Sequence, residues 1–183
     1  MIPDYQLLEA AKHNDIEEAR EAIARGANVD ARDFSGFTPI WLACTLGHMA
    51  MAEFLMTQNA DLNLPYGKRR QTLMHWAAEH GSVGVTTFLL NHKADVNALQ
   101  ADKSTPLLLA AKSGHHYAVR LLLKHHALLS PRNDARATAR SAAERAGHYQ
   151  IAGLIDAAEA SRPSHLQTAE EQFQSQTGQR TLF

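Results

Sequence analysis

Apolar residues recur along most of the chain at helical spacing, in short runs that come in pairs. The segments TPIWLACTLGH, TLMHWAAEHG, TPLLLAAKSGHH and TARSAAERAGH align on their threonines, Thr38, Thr72, Thr105 and Thr138. A threonine there can cap a helix with its side-chain oxygen. Pro39 and Pro106 suit the first helical position, where a missing N–H costs nothing. Each run closes just before Gly47, Gly81, Gly114 or Gly147, and a glycine lets the chain turn so that a second helix returns antiparallel. The second runs end in Phe54-Leu55, Phe88-Leu89-Leu90 and Leu121-Leu122-Leu123. The pattern therefore predicts helix pairs and no strands.

The threonines are spaced by 34, 33 and 33 residues, and the glycines repeat the same intervals, so two independent markers keep one register. With the closing strings GANVD, NADLN, KADVN and HALLS, these segments resemble the ankyrin repeat, whose pattern is a turn, T-P-L-H-x-A-A, a glycine, a leucine-rich second helix and G-A-D-V-N. The resemblance runs from about residue 4 to residue 160. It implies an all-α ankyrin-repeat solenoid of about five helix-turn-helix units with short projecting turns. Small residues such as Ala43, Ala77, Ala110 and Ala143 let first helices approach closely, and stacking buries faces that one repeat cannot bury alone.

The expected boundaries follow the markers. Residues 1–33 form an N-terminal capping repeat, 34–66, 67–100 and 101–133 three internal repeats, 134–160 a C-terminal capping repeat, and 161–183 a polar tail. The first unit has Asn14-Asp15 where the others have glycine and a polar residue, and the last carries Arg140, Ser141 and Glu144 where the family pattern is apolar. In the tail, Ser164 and Gln167 have the spacing of a capping box, and Leu166, Ala169 and Phe173 share one helical face. Either a short amphipathic helix before Gly178 or a Gln-rich segment without fixed structure fits that composition.

Composition narrows the function. Eighteen Lys and Arg against 19 Asp and Glu leave a net charge of -1, so no global field draws the chain to nucleic acid or to an anionic membrane. No apolar stretch has the length of a membrane span, and the N-terminus lacks the order of a signal peptide. With Cys44 the only cysteine, no internal disulfide can form. A soluble, cytoplasmic protein, monomeric alone, is the expectation.

The 11 histidines invite a metal or catalytic reading. Four have a place in the repeat: His48, His115 and His148 follow the repeat glycine, and His75 fills the H of T-P-L-H. His115-His116 and His125-His126 fall at opposite ends of one helix, roughly 15 Å apart, too far to share a metal. No nucleophile elbow, phosphate loop or dinucleotide fingerprint occurs, and Cys44 stands at a small packed position. We therefore expect no cofactor, no metal and no catalytic residue.

What the repeat leaves free is the turn tips and the exposed side of the first helices, where the resemblance implies that partners lie on a concave face. Two residues before the repeat threonines stand Gly36, Arg70, Lys103 and Arg136; Lys68 and Arg69 widen that basic row. Phe34 and Phe37 flank a turn, Tyr66 lies where the 34-residue unit gains its extra residue, and Trp41 and Trp76 sit in first helices. Leu46, Glu79, His80 and Lys112 occupy the helix-end positions of the same face. Aromatic anchors beside arginines are the usual make-up of a binding hot spot. The expected function is a non-catalytic protein–protein interaction module, an adaptor or inhibitor, whose partner protein has an acidic or mixed surface. An immunity protein that neutralises a toxin is the alternative, and an enzyme with a His/Glu/Arg site on that face is the reading from another class.

Overall fold

The computed structural model describes residues 2–162 and 164–177, and every regular element among them is a helix. Residues 163 and 178–183 of the expected tail lie outside the described residues, as do the side chains of Ser164, Leu166, Gln167 and Ala169. The chain divides into two compact units, residues 1–67 and 68–183.

In the first unit, α1 (Pro3–His13) pairs with α2 (Ile16–Ala24), and α3 (Pro39–Thr45) pairs with α4 (Met49–Thr57). The first helices α1 and α3 pack on each other. Their contact is close because the residues between them are small: Ala10, Ala11 and Ala43 have no exposed surface. Asp15 caps α2 by accepting from Glu18 N at 2.9 Å, and Thr38 caps α3 by accepting from Trp41 N at 3.4 Å. The histidine after the repeat glycine ties the two pairs together, its Nε2 donating to the Lys12 carbonyl at 3.0 Å, a helix-end acceptor that has no partner within its helix.

The second unit contains α5 (Leu73–Glu79), α6 (Val83–Asn91), α7 (Pro106–Lys112), α8 (His116–Lys124), α9 (Ala139–Arg145), α10 (Tyr149–Ala160) and α11 (Ser164–Thr177). Here α5, α7 and α9 stack as one row of first helices, and α6, α8 and α10 as a row of second helices. Thr105 and Thr138 accept from Leu108 N and Ser141 N, both at 3.2 Å, so the caps set where each first helix begins. The leucine-rich second helices face inward, and Leu89 and Leu122 are wholly buried.

Two features join successive repeats of this unit. His115 lays its ring over Gly81 and donates from Nε2 to the Glu79 carbonyl at 2.9 Å, while His148 lies over Gly114. Turns also bond to turns: Ala101 N donates to Arg69 O at 2.8 Å, and Asp134 N to Asp102 O at 2.9 Å. The helix α11 is held by Glu170, whose carboxylate accepts from Leu129 N and Ser130 N and pairs with the buried Arg162.

Candidate partner-binding surface

In the first unit the turn at residues 33–37 is built by its aspartate. Asp33 Oδ1 accepts from Ser35 N and Phe37 N, both at 2.9 Å, and Gly36 N donates back to the Asp33 carbonyl at 2.8 Å. Gly36 adopts φ +90°, which an L side chain would strain. The turn throws Phe34 outward, where it is fully exposed, and sends Phe37 inward. Phe37 stacks on Tyr66 with ring centroids 4.2 Å apart and on Trp41 at 5.6 Å, and Trp41 meets Tyr66 at 5.2 Å. Arg32 fastens the arrangement, its Nη1 donating to the Gly36 and Pro65 carbonyls at 3.1 Å each.

The aromatic residues thus divide into two kinds. Trp41 is only 5% exposed, and Phe37 and Tyr66 are half-buried in a cluster of three rings. Phe34, with Leu46 at 53% exposure, is open to contact instead. Beside Phe34 runs an open groove of roughly 720 Å³, lined also by Ile2, Tyr5, Leu8, Lys12 and Arg32. Sequence reasoning passed over Ile2 and Tyr5, both exposed. Ile2 stands before α1 on extended backbone and Tyr5 lies in its first turn, so no helical periodicity marks the pair in the sequence.

In the second unit Arg70, Lys103 and Arg136 share more than a register. Their φ values are +52°, +62° and +59°, so all three hold the left-handed conformation that Gly36 holds in its turn. That region costs a non-glycine residue about 1 kcal/mol. Lys103 pairs with Asp134 at 3.4 Å. Arg69 reaches Glu79 at 3.6 Å and Gln100 at 3.4 Å, and Glu79 also accepts from Gln71 at 2.7 Å. Lys68, Arg70, Lys112 and Arg136 are exposed and form no ion pair among the described residues. Trp76 is half-buried and stacked on the exposed His80 at 4.8 Å, and His80 Nδ1 donates to the Trp76 carbonyl at 2.9 Å.

The residues that most suggest chemistry are occupied by structure. His75 is completely buried; its Nδ1 accepts from Thr72 N at 3.2 Å and its Nε2 donates to the Ser104 carbonyl at 3.0 Å. Burial lowers its pKa to about 4, against the opposing hydrogen bond to Ser104, so at neutral pH the ring is uncharged. Burial pushes the Cys44 thiol up to about 12, which keeps it protonated and a poor nucleophile. Among the described residues no group of three or more His, Cys, Asp or Glu side chains is placed to hold a metal ion. Nor is any described helix long and apolar enough to cross a membrane.

Capped helix pairs in a 33-residue register, with turns bonded to turns and histidines bridging neighbours, define a helical repeat protein. The family models agree: "Ankyrin repeats (3 copies)" matches residues 7–100 and "Ankyrin repeat" matches residues 102–134. The chain belongs to the ankyrin-repeat family. It is similar to Protein lin-12 of Caenorhabditis elegans, 32% identical over 99 residues, which are 52% of this chain and 7% of that protein. It is also similar to Protein glp-1 of the same organism, 28% identical over 137 residues, 69% of this chain and 11% of that protein. Human transient receptor potential cation channel subfamily A member 1 is 34% identical over 99 residues, 52% of this chain and 9% of the channel. The chain therefore spans about a tenth of the length of these relatives. Ankyrin repeats are in general protein–protein interaction modules.

Proposed function

We propose that the chain is a non-catalytic adaptor or inhibitor that binds a partner protein of acidic or mixed surface through its turns and first helices. The observation that carries this reading is the recurrence of an exposed basic side chain, Arg70, Lys103 and Arg136, at one turn position of successive repeats. Positive φ by itself is not the mark, since Lys93 after α6 shares it at +60°; what supports the reading is that a basic side chain recurs at the turn position where the first unit has Gly36. Phe34 supports it from the first unit, as a fully exposed aromatic on a turn fixed by Asp33. Trp41, Phe37 and Tyr66 contribute by bracing that turn, and Leu46, Lys68, Arg69, Trp76, Glu79, His80 and Lys112 by lining the same helix-end and turn positions.

The test is affinity capture with quantitative mass spectrometry, using the wild type, Phe34→Ala, Arg70→Glu and a control, Lys93→Glu, after the second helix α6. A partner retained by the wild type and the control and lost from the other two supports the proposal. A partner lost with Lys93→Glu and kept by both others places binding on the opposite face.

A further inference from the structure

Within the second unit an open groove of roughly 360 Å³ lies between α7 and α9, lined by Leu108, Asn133, Ala135, Ala137 and Ala142, with Lys112 and Arg145 among its walls. Its origin is visible in the repeat register. Four residues after each repeat threonine the chain has Leu42, Trp76, Leu109 and then Ala142; eight residues after, it has Leu46, His80, Ser113 and then Ala146. In the α5 repeat the large side chains at these two positions stack on each other, Trp76 on His80 at 4.8 Å. In the α9 repeat both are alanine, and the space is left open.

Charge selects what fits. Seven residues after the threonine stand Glu79, Lys112 and Arg145 in this unit. Glu79 is already engaged by Arg69 and Gln71. Of the acids nearby, Asp134 is paired with Lys103, Glu144 and Asp156 with Arg140, and Asp102 accepts from Ser104. Lys112 and Arg145 are exposed and form no ion pair among the described residues, and neither does Arg136 on the adjoining turn. Each cation near a helix C-terminus gains from the helix dipole, but that accounts for a single charge per helix and not for an apolar floor between two of them. Asn133 is no competing ligand, because its Oδ1 accepts from Ala137 N at 3.0 Å and its Nδ2 donates to Ser104 Oγ at 3.3 Å.

We propose that this groove receives an acidic peptide segment of a partner protein, carboxylate side chains meeting Lys112 and Arg145 while a neighbouring apolar side chain rests on Leu108 and the alanines. The inference rests on the reading of the chain as a protein-binding module. It narrows the partner to an acidic peptide with apolar neighbours and brings Ala137, Ala142 and the helix-end residue Arg145 into one site. Arginine suits this place because its planar fork meets a carboxylate with two hydrogen bonds.

The experiment is fluorescence anisotropy of the full chain with a labelled hexapeptide of alternating glutamate and leucine, and with the same peptide carrying glutamine for glutamate. Saturable binding of the glutamate peptide is expected, weakened at higher salt, with the glutamine peptide at least about tenfold weaker. Ala142→Leu restores the side chain found at residue 109, fills the groove without altering charge, and should reduce affinity about tenfold or more. Lys112→Glu with Arg145→Glu should abolish binding of the glutamate peptide and permit binding of a lysine–leucine peptide, a gain that a merely misfolded variant cannot give. Equal affinity for the two peptides, indifference to Ala142→Leu, or no binding to the wild type overturns the proposal. None of those results touches capture that depends on Phe34, so the wider reading is tested separately.

Discussion

Gly81 and Gly114 show how a single residue enforces the repeat. Both have positive φ, +65° and +81°, and a methyl group at either would run into the histidine of the next repeat: His115 over Gly81, and His148 at 2.7 Å from the added carbon at Gly114. Gly147 has a similar φ of +80° and open space around it, so it reports the backbone cost alone. Gly81→Ala should lower stability by about 2 kcal/mol and Gly147→Ala by about 1. Chemical denaturation measures both, and in a His115→Ala background much of the excess at Gly81 should vanish if ring and glycine are coupled. His75 gives a second residue-scale expectation. Its folded pKa, about 4, lies below the ordinary 6.5, so on acidification the unfolded chain takes up a proton that the folded chain refuses. The associated stability is complete above about pH 6.5 and is lost as pH falls towards 4, up to about 3 kcal/mol in all. The difference between wild type and His75→Gln in urea midpoint should therefore shrink between neutral pH and about pH 5; a constant difference across that range would mean the ring is not held neutral by burial.

At the scale of elements, the helices were legible in the sequence because their signals are local. Threonine at the cap, proline behind it and glycine after the last turn act within one or two turns of chain, and α3, α5, α7 and α9 all begin directly after their threonines. The surface was harder to read, because exposure depends on what distant residues do. Nothing local in Trp41 tells that Tyr66, twenty-five positions on, covers it with Phe37; the extra residue of the 34-residue unit was noticed, but not its packing. In the sequence, Arg70, Lys103 and Arg136 form a row of charge, and Gly36 at the equivalent position is the one local sign of the left-handed backbone they share. The helix α11 shows the same limit. Its sequence is polar, yet Glu170 accepts from two backbone N–H groups and pairs with Arg162, whose side chain is 7% exposed. Glu170→Ala leaves that cation buried without its partner and should cost on the order of 2 to 4 kcal/mol. Ending the chain at Ser161 removes both charges together and should cost less while leaving the helical signal of α1 to α10 in place. Thermal melts followed by circular dichroism compare the two, and a truncation that unfolds the remaining helices would show that α11 is part of the core.

Across the whole molecule, the candidate contact residues fall on turns and first helices. Each unit contributes its own material: Phe34 on a braced turn in residues 1–67, and Arg70, Lys112, Arg136 and Arg145 without ion pairs among the described residues of 68–183. In the proposed reading Phe34 is the aromatic anchor that sets affinity and the exposed cations steer association. Phe34→Ala should accordingly speed dissociation, and Arg70→Glu should slow association most at low salt. The most direct measurement is hydrogen–deuterium exchange of the chain alone and saturated with a captured partner. Protection is expected at the turns around residues 33–37, 68–71, 101–104 and 134–137 and at the ends of α3, α5, α7 and α9. Protection confined to α4, α6, α8 and α10, with those turns exchanging as in the free chain, would contradict a binding face made of turns and first helices.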